Sequence, residues 1–149
     1  MQRELLKSKI HRATVTQSDL NYVGSLTLDP DLMEAAGILP HEKVDVVVVT
    51  NGARWTTYVL PGPRGSGIVG INGATARLAL TGDIVIIMAY AALDEEEVDK
   101  HEPSVVFVDQ ANRITRMSTD PAATVPGTAT VRGDRDHRPH RLGRPDEES

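Results

Sequence analysis

The fold class of this chain follows from residues 44–60, VDVVVVTNGARWTTYVL. The first half, Val44–Thr50, is a run of β-branched residues, which favour extended backbone. Asn51-Gly52 is the dipeptide most typical of a two-residue hairpin turn, because both residues tolerate positive φ. A second strand-like run, Arg54–Leu60, follows at once. These residues therefore predict an antiparallel β-hairpin.

Strand signals dominate the rest of the chain, and helices are few. One short helix is well marked, because Asp29 can cap it, Pro30 suits its first turn and Gly37 can end it. A second short helix is predicted within residues 94–100. This pattern of many short strands is typical of a small closed or partly closed β-barrel. The further runs of strand length are residues 10–15, 68–71, 84–91, 105–108 and 113–117.

Composition bounds the function classes. The length of 149 residues indicates one domain. The absence of cysteine excludes disulfides and a cysteine nucleophile and fits the cytoplasm. A net charge of −5 argues against a nucleic-acid partner. The N-terminal residues lack the apolar core of a signal peptide, and the apolar run Ile84–Leu93 is too short to cross a membrane.

Residues 118–149 differ in composition from the rest. They are rich in proline and arginine and contain no aromatic side chain. Such a segment cannot bury enough apolar surface to offset the entropy of ordering its chain. We therefore expect a folded domain over residues 1–117 and a disordered C-terminal tail over residues 118–149.

The Gly24-Ser25 bond carries the most specific chemistry. Glycine can bend so that the serine hydroxyl attacks the preceding carbonyl carbon, which converts the amide into an ester. β-Elimination and hydrolysis would then leave a pyruvoyl group at the start of a new chain. Taken alone, Gly-Ser is more typical of an ordinary turn, so its neighbours decide between the two interpretations.

Eight short motifs in fixed order, extending to about residue 117, resemble the pyruvoyl-dependent aspartate 1-decarboxylase family. The resemblance implies a six-stranded double-psi β-barrel. It also implies a zymogen that cleaves itself between Gly24 and Ser25 into a β chain (1–24) and an α chain (25–149). The motifs lie at residues 9–12, 22–25, 35–39, 50–54, 57–58, 64–66, 72–74 and 82–86.

The family's activity is the conversion of L-aspartate to β-alanine and CO2, a lyase reaction that feeds pantothenate biosynthesis. The resemblance implies a Schiff base between the substrate and the pyruvoyl group made from Ser25, so that the cofactor is covalent. It further implies a homotetramer with active sites between neighbouring subunits. Cleavage is either spontaneous or assisted by a maturation factor, and the sequence leaves both open.

The residue types give these roles a physical basis. Arg54 can grip a substrate carboxylate with its planar fork, although a surface salt bridge is the ordinary role of a lone arginine. Tyr58 shares a strand face with Arg54, and a phenol there can donate a proton to the carbanion. Thr57 should point to the opposite face, so either a bulge turns it or it acts across a subunit boundary. Lys9 and His11 share a face of the first strand.

The resemblance assigns the remaining site residues. The self-cleavage group is Gly24, Ser25, Thr57, Tyr22 and His11. The substrate-binding group is Lys9, Arg54, Thr57, Asn72, Gly73, Ala74 and Thr75, and the catalytic pair is Ser25 with Tyr58. No metal is implied.

Two other function classes remain open. A barrel that cannot process itself would act as a ligand- or partner-binding protein. Gly65–Gly70 satisfies G-x-G-x-x-G and suggests a dinucleotide-binding module, but β-branched residues follow it where such a module needs a helix.

Two weaker motifs are a hydrolase triad of Ser25, His11 and Asp19, and a metal pair of His137 and His140.

Overall fold

The structure is a computed structural model that describes residues 1–134. It is mainly β, with two short α-helices and one 3₁₀ helix (Gly73–Arg77). The α-helices are α1 (Pro30–Ala36) and α2 (Glu95–Val98). The strands are β1 (Arg3–Thr14), β2 (Gln17–Asp19), β3 (Leu26–Leu28), β4 (Lys43–Val48), β5 (Arg54–Pro61), β6 (Val69–Asn72), β7 (Ile84–Leu93), β8 (Ser104–Val108) and β9 (Ile114–Ser118).

The strands form one mixed sheet in the order β2-β6-β3-β5-β4-β7-β1-β8-β9. Three neighbouring pairs are parallel, namely β1 with β8, β2 with β6 and β3 with β5. The described residues contain nine strands, three more than the six expected for the barrel itself. Strands β2 and β3 have three residues each, too few for an alternating pattern to reveal them.

The hairpin predicted from residues 44–60 is confirmed. Strands β4 and β5 pair antiparallel in one unbroken register, from Lys43 opposite Tyr58 to Val47 opposite Arg54. Gly52 has φ +73° in the connecting turn, where the side chain of Asn51 accepts a hydrogen bond from the amide of Ala53 at 2.8 Å. The alternate valines of β4 are buried, so this hairpin contributes one wall of the core.

The predicted helix after Asp29 is also confirmed. The Asp29 side chain accepts a hydrogen bond from the amide of Asp31, and Gly37 ends α1 in the left-handed conformation with φ 64°. The second short helix, α2, begins at Asp94 with a capping box to Glu97. Helix α1 buries Leu32 and Met33 against the sheet.

The core is aliphatic and lies inside the curved sheet. Its largest fully buried side chains are Ile10, Leu26, Leu28, Leu32, Ile71 and Ile87, together with six valines. No helix within residues 1–134 has the length and hydropathy needed to span a membrane.

Part of the segment predicted as a tail contacts the sheet. Ser118 ends β9, and the Lys9 ammonium donates a hydrogen bond to the carbonyl of Pro121 at 3.0 Å. The guanidinium of Arg132 forms an ion pair with Asp120. The domain boundary at residue 117 stays a prediction, and the weak metal-pair motif of His137 and His140 lies outside the described residues.

Candidate active site

Ser25 lies immediately before β3, next to a glycine with positive φ. Gly24 has φ +102°, and a Cβ there would come within 2.4 Å of Leu60 Cδ1, so only glycine fits without rearrangement. The carbonyl of Ser25 accepts a hydrogen bond from the amide of Asn72 at 3.0 Å. The hydrogen bond from Asn72 therefore fixes the backbone on the C-terminal side of the Gly24-Ser25 bond.

Through its hydrogen bond to the Ser25 carbonyl, Asn72 connects the turn at residues 72–75 to the Gly24-Ser25 bond. It is only 4% exposed, and its side-chain Nδ2 donates a hydrogen bond to Thr27 Oγ1 at 2.8 Å. Its Oδ1 is buried and has no hydrogen-bond partner in the structure. A buried amide oxygen without a donor is costly, so this atom is suited to accept a hydrogen bond from a serine hydroxyl or a substrate amine. Gly73 follows with φ +70°, and Ala74 and Thr75 continue into the 3₁₀ helix.

Strand β5 brings Tyr58 and Thr57 beside Ser25. Strands β3 and β5 are parallel with Leu26 opposite Val59, so Ser25 and Tyr58 each lie one residue before that pair. Exposure alternates along β5, with Arg54, Thr56 and Tyr58 on the exposed face and Thr57 on the other. Because the β4–β5 register is unbroken at Thr57, the bulge that could have turned this residue is absent.

Arg54 lies on the same face of β5 as Tyr58, as predicted, and about 13 Å from it along an extended strand. Its Nη2 donates a hydrogen bond to Asp45 Oδ2 at 3.0 Å and contacts the Tyr90 hydroxyl at 3.4 Å. Arg54 also lines a cavity of about 350 Å³. The side chain thus has a carboxylate partner within its own chain. The other lining residues are Glu4, Lys43, Val44, Asp45, Thr56 and Tyr90.

Lys9 and His11 share a second cavity, of about 400 Å³, whose other wall includes residues from the segment 121–133. The His11 ring packs edge-on against Phe107 with 5.6 Å between ring centroids. Burial, with the nearby charges of Lys9 and Arg12, lowers the pKa of His11 to about 4. Burial also lowers the pKa of Lys9, against the opposing effect of Asp120. His11 is therefore neutral at physiological pH.

The predicted site residues thus form two groups in one chain. The first surrounds Ser25 on strands β6, β3 and β5, which are consecutive in the sheet. The second lies on β1, and strands β4 and β7 separate it from β5. Tyr22, in the loop before Gly24, is 53% exposed.

The competing glycine motif has a structural role. The amides of Gly65 and Gly67 donate hydrogen bonds to the two carboxylate oxygens of Asp29, at 3.0 and 2.9 Å. Gly70 lies within β6, which is followed by the short 3₁₀ helix Gly73–Arg77 and not by an α-helix starting at these glycines. A dinucleotide-binding loop needs free amides and the N-terminus of a helix to hold a pyrophosphate. This loop instead binds a carboxylate of its own chain.

Comparison with known proteins agrees with this geometry. The sequence profile described as "Aspartate decarboxylase" matches residues 1–115. The chain belongs to the aspartate decarboxylase family. A relative named aspartate 1-decarboxylase 1, from Frankia casuarinae, is 57% identical over 132 residues, covering 89% of this chain and 86% of the relative. Aspartate 1-decarboxylase from Carboxydothermus hydrogenoformans is 58% identical over 113 residues, which cover 76% of this chain and 89% of the relative.

For this family member, sequence reasoning missed the partners of Arg54. Asp45 and Thr56 are direct neighbours in the β4–β5 register, and Thr56 Oγ1 donates a hydrogen bond to Asp45 Oδ1 at 2.7 Å. Asp45 is the single acid in a run of valines, at an outward position of the strand alternation. That position was a usable signal, because outward residues on paired strands meet.

Proposed function

We propose that this protein is a self-processing L-aspartate α-decarboxylase whose electron sink is a pyruvoyl group made from Ser25. Aspartate 1-decarboxylase activity, that of a carboxy-lyase, follows from its membership of the family. The observation that carries the remainder of the proposal is the environment of Gly24-Ser25. The serine is preceded by a positive-φ glycine, where a Cβ would require Leu60 to move, and a buried, unpaired amide oxygen lies on the residue that binds the serine carbonyl.

Self-cleavage would begin when Ser25 Oγ attacks the Gly24 carbonyl carbon and the amide nitrogen leaves, which gives an ester. Loss of the Ser25 Cα proton then expels the Gly24 carboxylate from Cβ and leaves dehydroalanine. Water replaces its nitrogen, which departs as ammonia. In this proposal Gly24 supplies the backbone freedom for the attack. The residues around the cleaved bond are Asn72, Thr57, Tyr22 and His11.

The pyruvoyl group supplies a ketone that accepts the electron pair released when CO2 leaves. Tyr58 is suited to return a proton to the substrate carbon, since its strand places it beside Ser25. Arg54 binds a substrate carboxylate with its fork. Asn72, Gly73, Ala74 and Thr75 bind the substrate on the other side of Ser25.

Lys9 serves as the second cation, and the neutral His11 ring lies in the same cavity; both come from a neighbouring subunit. Two observations support this assembly. Within one chain two strands separate the β1 group from β5, and no bulge turns Thr57. A homotetramer whose sites lie between subunits would unite both groups. We further propose that the sheet is a double-psi β-barrel and that the enzyme supplies β-alanine for pantothenate synthesis in the cytoplasm.

A barrel that cannot process itself is the alternative. It would retain the fold and bind ligands with an intact Gly24-Ser25 bond. The dinucleotide-binding alternative is disfavoured, because Asp29 occupies the amides of Gly65 and Gly67.

The test is release of CO2 and formation of β-alanine from L-aspartate by the purified protein, with Ser25→Ala as the control. We expect turnover by the wild-type protein and none by Ser25→Ala, because alanine lacks the hydroxyl. Turnover by Ser25→Ala would refute the proposed origin of the electron sink. Absence of turnover in fully cleaved wild type would refute the proposed function.

A further inference from the structure

Strand β1 contains a β-bulge between Ile10 and Ala13. Over this interval β1 advances by three residues, whereas its partner β7 advances by two, from Ile87 to Val85. The strand therefore carries one extra residue there. Within the bulge Arg12 has φ +57°, a conformation that costs free energy for a residue with a long side chain. Strain of this kind is found mainly at functional sites.

The bulge changes the face on which Arg12 lies. Regular alternation would place Arg12 on the same face as Ile10, which is fully buried in the core. Because of the extra residue, His11 and Arg12 both lie between the buried Ile10 and Ala13 without being buried themselves. Both line the cavity of about 400 Å³ that Lys9 also lines. The bulge thus brings a second cation to that cavity.

Asn112 shows what a structural reason for such a backbone looks like. It also has positive φ, +61°, and its side chain accepts a hydrogen bond from the amide of Thr14 and donates to the carbonyls of Thr14 and Gly67, all at 2.7–2.8 Å. The side chain of Arg12 makes no hydrogen bond or ion pair with any residue within 1–134. The fold therefore gains no polar contact from the arginine that would offset its strain.

The lining of the cavity is suited to an anion. Among the described residues it includes two cations, Lys9 and Arg12, and no carboxylate. Lys9 uses one of its three N–H donors for the carbonyl of Pro121. Asp120, whose charge also acts on Lys9, is itself bound by Arg132. Both cations consequently keep donors for a ligand.

The ring of His11 adds a further donor. Burial, followed by the charges of Lys9 and Arg12, lowers the pKa of His11 to about 4, so the ring is neutral at physiological pH and carries one proton. Its Nδ1 is buried and has no hydrogen-bond partner within residues 1–134. Because a buried N–H without an acceptor is costly, the proton belongs on Nε2. The side chains of this cavity thus offer hydrogen-bond donors to an anion from three consecutive outward positions of β1.

We propose that Arg12, jointly with Lys9, binds the substrate carboxylate that β-alanine retains, and so helps to set specificity for a dicarboxylic amino acid. The inference rests on the proposed function, in which the β1 group acts from a neighbouring subunit. The retained carboxylate is the fitting occupant, because a carboxylate that leaves as neutral CO2 would lose both cations in the transition state. Tight binding of that departing group would slow the reaction.

The experiment is Arg12→Gln, measured on protein whose cleavage is confirmed by intact mass. We expect the KM for L-aspartate to rise about three- to tenfold, because Lys9 keeps part of the hold and solvent screens an exposed arginine. The kcat should change less than twofold, since the contact is made equally in the ground state and the transition state. The inhibition constant of the product β-alanine, which keeps the same carboxylate, should rise by the same factor as KM.

Arg3→Gln is the matched control, because Arg3 is an exposed arginine on the same strand that does not line the cavity. It should leave KM, kcat and the inhibition constant of β-alanine unchanged. Arg12→Lys should recover part of the affinity through its charge.

Arg12→Gly separates charge from strain, because glycine adopts positive φ without a steric penalty. It should lose as much affinity as Arg12→Gln, with a thermal unfolding midpoint at or above that of Arg12→Gln. Since it relieves the strain, this variant also carries the test if Arg12→Gln does not fold.

An unchanged KM after Arg12→Gln would overturn the proposal. A raised KM with an unchanged inhibition constant for β-alanine would also overturn it, because Arg12 would then bind the other carboxylate. Recovery of wild-type affinity by Arg12→Gly would show that the charge is not needed. These failures are distinct from failure of the proposed function, because each is measured against a wild-type protein that cleaves itself and decarboxylates aspartate.

Discussion

Two glycine turns lie at opposite ends of strand β6 and have opposite chemical character. The turn before it, at residues 65–67, directs its amides to the carboxylate of Asp29. Asn112 completes that turn by donating to the carbonyl of Gly67 at 2.7 Å. At the turn after β6, residues 72–74, Asn72 Oδ1 is buried without a partner, and the amide of the same residue binds the Ser25 carbonyl.

The difference between the two turns suggests how a glycine turn with a structural role can be told from one at a reactive site. The first turn matches a ligand-binding motif letter by letter, yet its polar groups are satisfied within the chain. The second turn matches no general motif and has an unsatisfied acceptor. For the proposed centre at Ser25, unmet hydrogen-bonding capacity is a better guide than the spacing of glycines.

The largest effect should come from Tyr58→Phe, on the strand that pairs with β3 beside Ser25. We expect complete cleavage at Gly24-Ser25, because the ester forms through the serine hydroxyl. The kcat should fall about 10²–10⁴-fold with little change in KM, since a general acid acts in the transition state. CO2 release across an aspartate series would measure this after mass spectrometry confirms cleavage. Wild-type turnover by the cleaved variant would remove Tyr58 from the mechanism.

Asp29→Asn, at the first turn, should lower stability and leave turnover nearly unchanged, which is the opposite of the effect expected for Tyr58→Phe. The residue is 3% exposed, and its carboxylate receives three amide hydrogen bonds, from Asp31, Gly65 and Gly67. We expect the free energy of unfolding to fall by about 2 kcal/mol, because hydrogen bonds to a charged group are lost. The kcat should stay within about twofold of wild type.

Urea unfolding and steady-state kinetics on the same preparation would check this expectation. Asp31→Asn is the control, since that carboxylate is exposed and pairs with Arg64 at the surface. A collapse of kcat at unchanged stability would mean that the first turn has a chemical role, and the contrast between the two turns would fail.

The smallest effect concerns His11, in the cavity away from both turns. Its pKa is about 4 in the folded chain against 6.5 ordinarily, through burial and the charges of Lys9 and Arg12. The unfolded state therefore binds more protons between these values, so this residue should lower stability as the pH falls from 6.5 to 4. His11→Gln should show a shallower decline of the thermal unfolding midpoint over that window. An equal decline in both proteins would contradict the assignment.

Local patterns predicted the local parts of this fold. The hairpin of β4 and β5 followed from Asn51-Gly52 between β-rich runs, and α1 followed from Asp29, Pro30 and Gly37. Strands β2 and β3 could not be predicted, because three residues carry no period and their partners are distant along the chain.

The members of the candidate site were predicted from the sequence and stay predictions, whereas their grouping depends on the fold. The alternation that placed Arg54 and Tyr58 on one face is confirmed. Which other residues meet Arg54 depends on the pairing of β4 with β5, and the same register also placed Asp45 beside it. The contact between Lys9 and Pro121 spans 112 residues, and no local pattern records such a distance.

The intact mass of the purified protein tests the central claim most directly. Cleavage at Gly24-Ser25 predicts two pieces, residues 1–24 and residues 25–149 with a pyruvoyl terminus, while Ser25→Ala should remain whole. A single uncleaved wild-type chain, after prolonged warming and with any accessory factor supplied, would contradict the account.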